Sequence, residues 1–236
     1  MTGPAGTIPD VPAGQVVRTQ VMSKARGRQV TVLTMAPDGY TAEELPKCVA
    51  LHGRGGDAAW MANLGVPQFL TAAVRAGVPP FAVISVDGGA DSYWIASDDD
   101  DPQAMLRTEL GPFDAAFGIS MGAFGCLRLA RDLPLKAVAA ISPAIFRSWP
   151  DAAKRNAFHT EAQWAGNEPL RHTQALQGKT LGVWCGREDP LVDAARALID
   201  EVHPTHAAIT HGAHDNAYWQ RVLPEVVAFI GAALKS

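Results

Sequence analysis

Ala115-Ala116-Phe117-Gly118-Ile119-Ser120-Met121-Gly122-Ala123-Phe124-Gly125-Cys126-Leu127 joins a short apolar run to an amphipathic one through a single serine. Ala115–Ile119 has the composition of a buried strand, and Met121–Asp132 carries the apolar face of a helix. A chain that passes from strand to helix at one residue must turn sharply there. That turn strains the backbone of Ser120, and Gly118 and Gly122 remove the side chains that would collide across it. The Ser120 hydroxyl is then lifted out of the sheet at a helix N-terminus, where a nucleophile belongs. An ordinary turn with an incidental serine is the alternative.

Outward from this junction, strand-like runs alternate with helical ones. Cys48–Leu51, Phe81–Val86, Ala137–Ile141, Leu181–Trp184 and Ala207–Thr210 read as strands. Ala58–Ala76, Pro102–Leu110, Leu191–Val202 and Asp215–Leu234 read as helices, the last with Tyr218, Val222, Val226 and Ile230 at helical spacing. Val16–Val21 and Gln29–Met35 alternate as an antiparallel hairpin. The fold class is therefore α/β: a mostly parallel central sheet, helices on both faces and an antiparallel leading hairpin. Residues 1–14 read as a flexible leader, and 15–236 as one domain.

Two segments interrupt the rhythm. The stretch from about 143 to 179 is a lid-like insertion with Trp149, Phe158, Trp164, His159 and His172, and a surface helix pair is the competing description. Asp98–Asp101 lacks the glycine and distal glutamate of a calcium loop. It reads as solvated loop in which Asp101 caps the next helix and Pro102 takes its first position.

Composition narrows the function. The 236 residues are 47% hydrophobic and carry 20 basic against 24 acidic side chains. That length buries a full core. A net charge of -4 supplies no basic footprint for nucleic acid. No apolar run approaches the roughly 20 residues that span a bilayer. Cys48, Cys126 and Cys185 are widely separated in apolar settings, as buried thiols would be, and neither they nor the seven histidines have metal-ligand spacing. An odd number of thiols favours a reducing, cytoplasmic location. Met1–Gln15 lacks an apolar signal core, so secretion would require a signal peptide outside this sequence.

A nucleophilic serine needs a base, an acid to orient the base, and donors for the oxyanion, with acid and base following in the order Asp/Glu, then His. After the strand ending near Cys185 comes Gly186-Arg187-Glu188-Asp189-Pro190, where Asp189 sits at the expected acid position; Glu188 and Asp193 are alternatives. After the last strand comes His211-Gly212-Ala213-His214-Asp215, where His214 is placed to face Ser120 and His211 to shape the loop. One oxyanion donor is the N–H of Met121, and the other lies in His52-Gly53-Arg54-Gly55-Gly56-Asp57: Arg54 first, Gly55 second. His52 would hold that loop. The loop lacks the Gly-Lys-Ser/Thr end of a phosphate-binding loop. Tyr93 and Trp94 are candidate substrate contacts or, alternatively, core.

The patterns His-Gly-x-Gly-Gly-Asp, Gly-x-Ser-Met-Gly, Gly-x-x-Asp-Pro and Gly-x-His-Asp-x-x-Tyr-Trp resemble those of the esterase D-like family of α/β-hydrolases. That group includes S-formylglutathione hydrolases, feruloyl esterase domains and mycolyltransferases. The resemblance runs from about Val16 to Leu234, and Gly212–Trp219 is its most specific part. It implies the α/β-hydrolase fold, Ser120 as nucleophile, Asp189 as acid, His214 as base, Arg54 and Met121 as oxyanion donors, and no cofactor. The joint Gly111–Asp114 before the serine strand is shorter than is usual in the family, though long enough to close the return path. The expected activity is carboxylic ester hydrolysis of a small-molecule substrate. An acyltransferase sharing the same acyl-enzyme is the alternative, followed by a non-catalytic binding module on this fold.

Overall fold

All five residues of Ala115–Ile119 are buried, at the centre of an eight-stranded sheet. The computed structural model describes residues 3–235, so Met1 and Thr2 of the expected leader lie outside the described residues. In chain order the strands are β1 (Gln15–Ser23), β2 (Arg28–Ala36), β3 (Lys47–Leu51), β4 (Ala82–Val86), β5 (Ala115–Ile119), β6 (Ala137–Ile141), β7 (Leu181–Gly186) and β8 (His206–Thr210). Their spatial order is β1-β2-β4-β3-β5-β6-β7-β8. β1 and β2 pair antiparallel, and β2 meets β4 antiparallel. Every pairing from β4 to β8 is parallel. The expected leading hairpin on a parallel sheet is what forms.

The helices are α1 (Ala58–Asn63), α2 (Val66–Arg75), α3 (Pro102–Ala104), α4 (Met121–Asp132), α5 (Trp149–Ala153), α6 (Glu161–Asn167), α7 (Val192–Val202) and α8 (Asn216–Leu234). Strand alternation divides the core between two sides. Val49, Leu51, Ala116, Val138 and Val183 belong to one cluster with residues of α4, α7 and the insertion. Cys48, Ala50, Phe117, Ile119 and Trp184 belong to another with α1, α2 and α8. Cys48, Cys126 and Cys185 are all buried free thiols, filling core volume as small hydrophobes. Among the described residues no helix is long and apolar enough to cross a membrane.

Two helical segments differ from the sequence expectation. Ala58–Ala76 is two helices rather than one, because Gly65 takes φ 100° and Pro67 sits in the first turn of α2. Pro102–Leu110 is α-helical only to Ala104 and continues as a π-turn over Met105–Leu110. The Asp101 carboxylate does cap it, accepting the Ala104 N–H at 2.8 Å, and Pro102 opens it.

Residues 3–14 have no regular structure but lie against α8: the Gly6 N–H donates to the Ala217 carbonyl at 2.8 Å and Arg221 donates to the Pro4 carbonyl at 2.6 Å. In the insertion, α5 and α6 are followed by two short 3-10 turns, Pro169–Arg171 and Thr173–Ala175. The fully buried Glu168 organises it, accepting N–H groups from Phe146 (3.0 Å), Trp164 (2.9 Å) and Leu170 (3.2 Å). Burial nonetheless pushes its carboxyl up to about 7.

The serine junction is fixed by close backbone packing. A Cβ on Gly122 would collide with the Leu51 carbonyl and lie 2.8 Å from that of His52, and a Cβ on Gly118 would strike the Gly122 carbonyl. The start of α4 therefore rests directly on the end of β3. Gly122→Ala should lower unfolding free energy by about 2 kcal/mol or more, the scale of overpacking a core. Urea denaturation measures this, and an unchanged midpoint would mean that the end of β3 yields freely.

Candidate active site

Ser120 occupies the junction of β5 and α4 at φ 57°, ψ −116°. For a non-glycine residue this costs about 1–3 kcal/mol and persists only where the surroundings hold it. They do. The Ser120 N–H donates to the Ile141 carbonyl at 2.9 Å. Its own carbonyl accepts from Ala123 (3.0 Å), Phe124 (3.2 Å) and Ala144 (3.1 Å). The hydroxyl is left at the rim of the sheet, with the residue 9% exposed.

The loops after β7 and β8 bring Asp189 and His214 to it. His214 Nε2 lies 2.9 Å from Ser120 Oγ, and Nδ1 lies 2.7 Å from Asp189 Oδ2. A carboxylate only accepts, so Nδ1 carries the proton and Nε2 is free to accept from the serine hydroxyl. Burial raises the Asp189 pKa, but the His214 hydrogen bond and charge, the Leu191 N–H and the Ser142 hydroxyl outweigh it and hold the carboxyl below its ordinary value. Ser142, at φ 47° just past β6, also accepts from Trp219 Nε1 at 3.1 Å. The Trp219 ring stands edge-on to His214 at 5.2 Å. Ser142 had no sequence signal, since its position depends on the turn after β6. Trp219 lay inside the Gly-x-His-Asp-x-x-Tyr-Trp pattern without an assigned part. Asp215 of the same pattern caps α8, accepting the Tyr218 N–H at 2.9 Å.

The alternatives lie elsewhere. Glu188 and His211 pair with each other, Oε1 to Nδ1 at 3.0 Å, and Glu188 Oε2 accepts the Gly212 N–H at 2.6 Å. That N–H first, and His211 second, lower the Glu188 pKa to about 2. Asp193 is exposed and pairs with Arg196 at 3.1 Å. Of these candidate acids and bases, Asp189 and His214 are the ones in the hydrogen-bonded run to Ser120.

The glycine-rich loop passes beside the serine: a Cβ on Gly53 would lie 3.5 Å from that of Ser120. The Gly55 N–H donates to the Ala90 carbonyl at 2.7 Å and the Gly56 N–H to the Gly53 carbonyl at 3.1 Å. These bonds occupy the N–H groups of Gly55 and Gly56. Met121 is the first residue of α4, where an N–H has no partner within the helix. Trp94 is not among the residues that border the cleft beside Ser120. It is fully buried under the loop, its Nε1 donating to the His52 carbonyl at 3.2 Å, so the expectation of a substrate contact is corrected to a core role. Tyr93 does line the cleft, and burial pushes its phenol up to about 12. The cleft has a volume of about 410 Å³ and is bordered by Ser120, His214, residues 53–56, Trp60, Arg155 and Trp219. Arg155 and Trp60 belong to no motif, and nothing in the sequence singled them out.

His52 is fully buried and holds the loop: Nε2 accepts the Gly88 N–H at 3.0 Å and Nδ1 donates to the Gly53 carbonyl at 2.8 Å. Burial lowers its pKa, keeping the folded ring neutral. On acidification the unfolded chain takes up this proton near pH 6.5 and the folded chain only at lower pH. Stability therefore falls as pH drops below that point, by at most about 1.4 kcal/mol per pH unit. Replacing His52 with Gln keeps an acceptor for Gly88 and removes the titration. Urea midpoints at pH 7.5 and 5.5 should fall further in the wild type than in His52→Gln, and equal losses would contradict a buried neutral His52.

No protein-family model and no curated protein matches the chain. Solved structures do. It is similar to a ferulic acid esterase at 18% identity and a TM-score of 0.79, over 93% of this chain and 98% of that one. It is similar to the fluorophosphonate-binding serine hydrolase F of Staphylococcus aureus at 16% identity and 0.74, over 92% and 98%. An S-formylglutathione hydrolase from Agrobacterium tumefaciens aligns at 13% identity and 0.74, over 98% and 100%. The sheet order, the serine junction and these matches along almost the entire chain agree: this chain has the α/β-hydrolase fold.

Proposed function

We propose that the protein is a serine hydrolase that cleaves carboxylic esters through an acyl-enzyme on Ser120. The observation that carries this reading is the hydrogen-bonded run from Asp189 Oδ2 to His214 Nδ1 at 2.7 Å and from His214 Nε2 to Ser120 Oγ at 2.9 Å. It lies at the mouth of a cleft with room for a small substrate. The names of the similar structures, a ferulic acid esterase and an S-formylglutathione hydrolase among them, support ester chemistry.

Ser120 Oγ attacks the ester carbonyl carbon as His214 Nε2 takes the hydroxyl proton. Asp189 keeps Nδ1 protonated and stabilises the imidazolium. The carbonyl oxygen becomes an oxyanion, received by the N–H groups of Met121 and Arg54, whose positions cost no reorganisation during the reaction. Collapse breaks the bond to the alcohol oxygen, which leaves with the proton from His214. Water then attacks the acyl carbon, His214 again takes a proton, and Ser120 leaves with it restored.

Ser120→Ala should lower ester turnover by about 10⁴-fold or more and abolish fluorophosphonate labelling, with folding retained. His214→Ala should approach the same loss, and the double variant should be little worse than either. His211→Ala should cost about tenfold or less, because His211 faces Glu188. Near-wild-type turnover in purified Ser120→Ala would overturn the mechanism.

A further inference from the structure

The cleft beside Ser120 has an uneven charge. Arg54 and Arg155 are the charged side chains that border it, with no carboxylate among its lining residues. Arg54 is spoken for, its guanidinium 2.7 Å from Asp91. Arg155 is different. It is partly buried, and its guanidinium lies 5.6 Å over the Phe146 ring, with no ion-pair partner among the described residues. Its charge reaches the Tyr93 phenol on the cleft wall. Together with Pro190 and Leu191, it also borders a second cavity of about 400 Å³, so the groove continues past the guanidinium. The two acids of that cavity, Asp151 and Asp193, pair with Lys154 at 2.9 Å and Arg196 at 3.1 Å.

A guanidinium held against an aromatic face offers a flat, preoriented pair of donors suited to a carboxylate. No acidic side chain lines the cleft, and Tyr93 borders it beside the guanidinium. We propose that the preferred substrates are esters bearing a free carboxylate, which Arg155 binds while the ester carbonyl sits at Ser120. This rests on the ester hydrolase reading and adds a substrate class to it. The carboxylate belongs either to the acyl part or to the alcohol, and the recognition chemistry is the same.

Two matched pairs separate these sources. p-Nitrophenyl hemisuccinate against p-nitrophenyl butyrate places the carboxylate on the acyl side. para-Acetoxybenzoate against its methyl ester places it on the alcohol side. The wild type should favour the anionic member of at least one pair by kcat/KM. In that pair the anionic-to-neutral ratio should fall about 10- to 100-fold in Arg155→Gln, mostly through KM, as expected for losing a charge-assisted contact. Arg155→Lys should retain part of the ratio, and Arg155→Glu should lower it below that of Arg155→Gln. Fluorophosphonate labelling counts competent sites in each variant, so a folding defect changes the number of sites and not the ratio. If neutral esters turn over but the ratio is the same in wild type and Arg155→Gln for both pairs, the carboxylate proposal fails and the hydrolase reading stands. If the wild type neither labels nor turns over any of the four esters, both fail.

Discussion

The close approach of Gly122 to the Leu51 and His52 carbonyls sets the distance between the end of β3 and the start of α4. Everything at the site is measured from that contact. It brings the glycine-rich loop alongside Ser120 and aims the first turn of α4 at the same space. The strain in the Ser120 backbone persists because four hydrogen bonds, to Ile141, Ala123, Phe124 and Ala144, hold the residue from the neighbouring strand and turns. A side chain at Gly122 would part these elements.

The parallel sheet supplies the other components by a common route. β5, β7 and β8 all end at one edge, so the residues that follow them, Ser120, Asp189 and His214, converge although they are distant in sequence. In open α/β sheets this carboxyl edge is where ligands bind. A second layer fixes the first. Trp219 on α8 donates to Ser142 beyond β6, and the Ser142 hydroxyl supports Asp189. His52 and Trp94 similarly hold the loop from beneath. These are buried polar contacts whose satisfied partners define one arrangement.

Local patterns made most of this legible. Strand composition, the serine between two glycines and the Asp–Pro helix start are properties of a few consecutive residues, and the sheet, the junction and the positions of Asp189 and His214 followed from them. What failed depends on direction and distant packing. Tyr93 and Trp94 are adjacent, both left-handed at φ 49° and 54° and both buried, yet one borders the cleft and the other lies under the loop. Glycine and proline divided the helix after β3 where apolar periodicity alone ran through. Arg155 carried no local signal, because its position comes from how the insertion packs on Phe146. Ser142 gained its partners only when β6, β7 and α8 came together.

In the proposed mechanism the backbone at the serine junction aims one nucleophile and two amides at a single point. A crystal structure of the protein inactivated with a small fluorophosphonate tests it most directly. Phosphorus should be bonded to Ser120 Oγ, with the phosphonyl oxygen about 2.7–3.1 Å from the N–H groups of both Met121 and Arg54. An unmodified Ser120, phosphorus on another residue, or a phosphonyl oxygen turned away from those amides would contradict it.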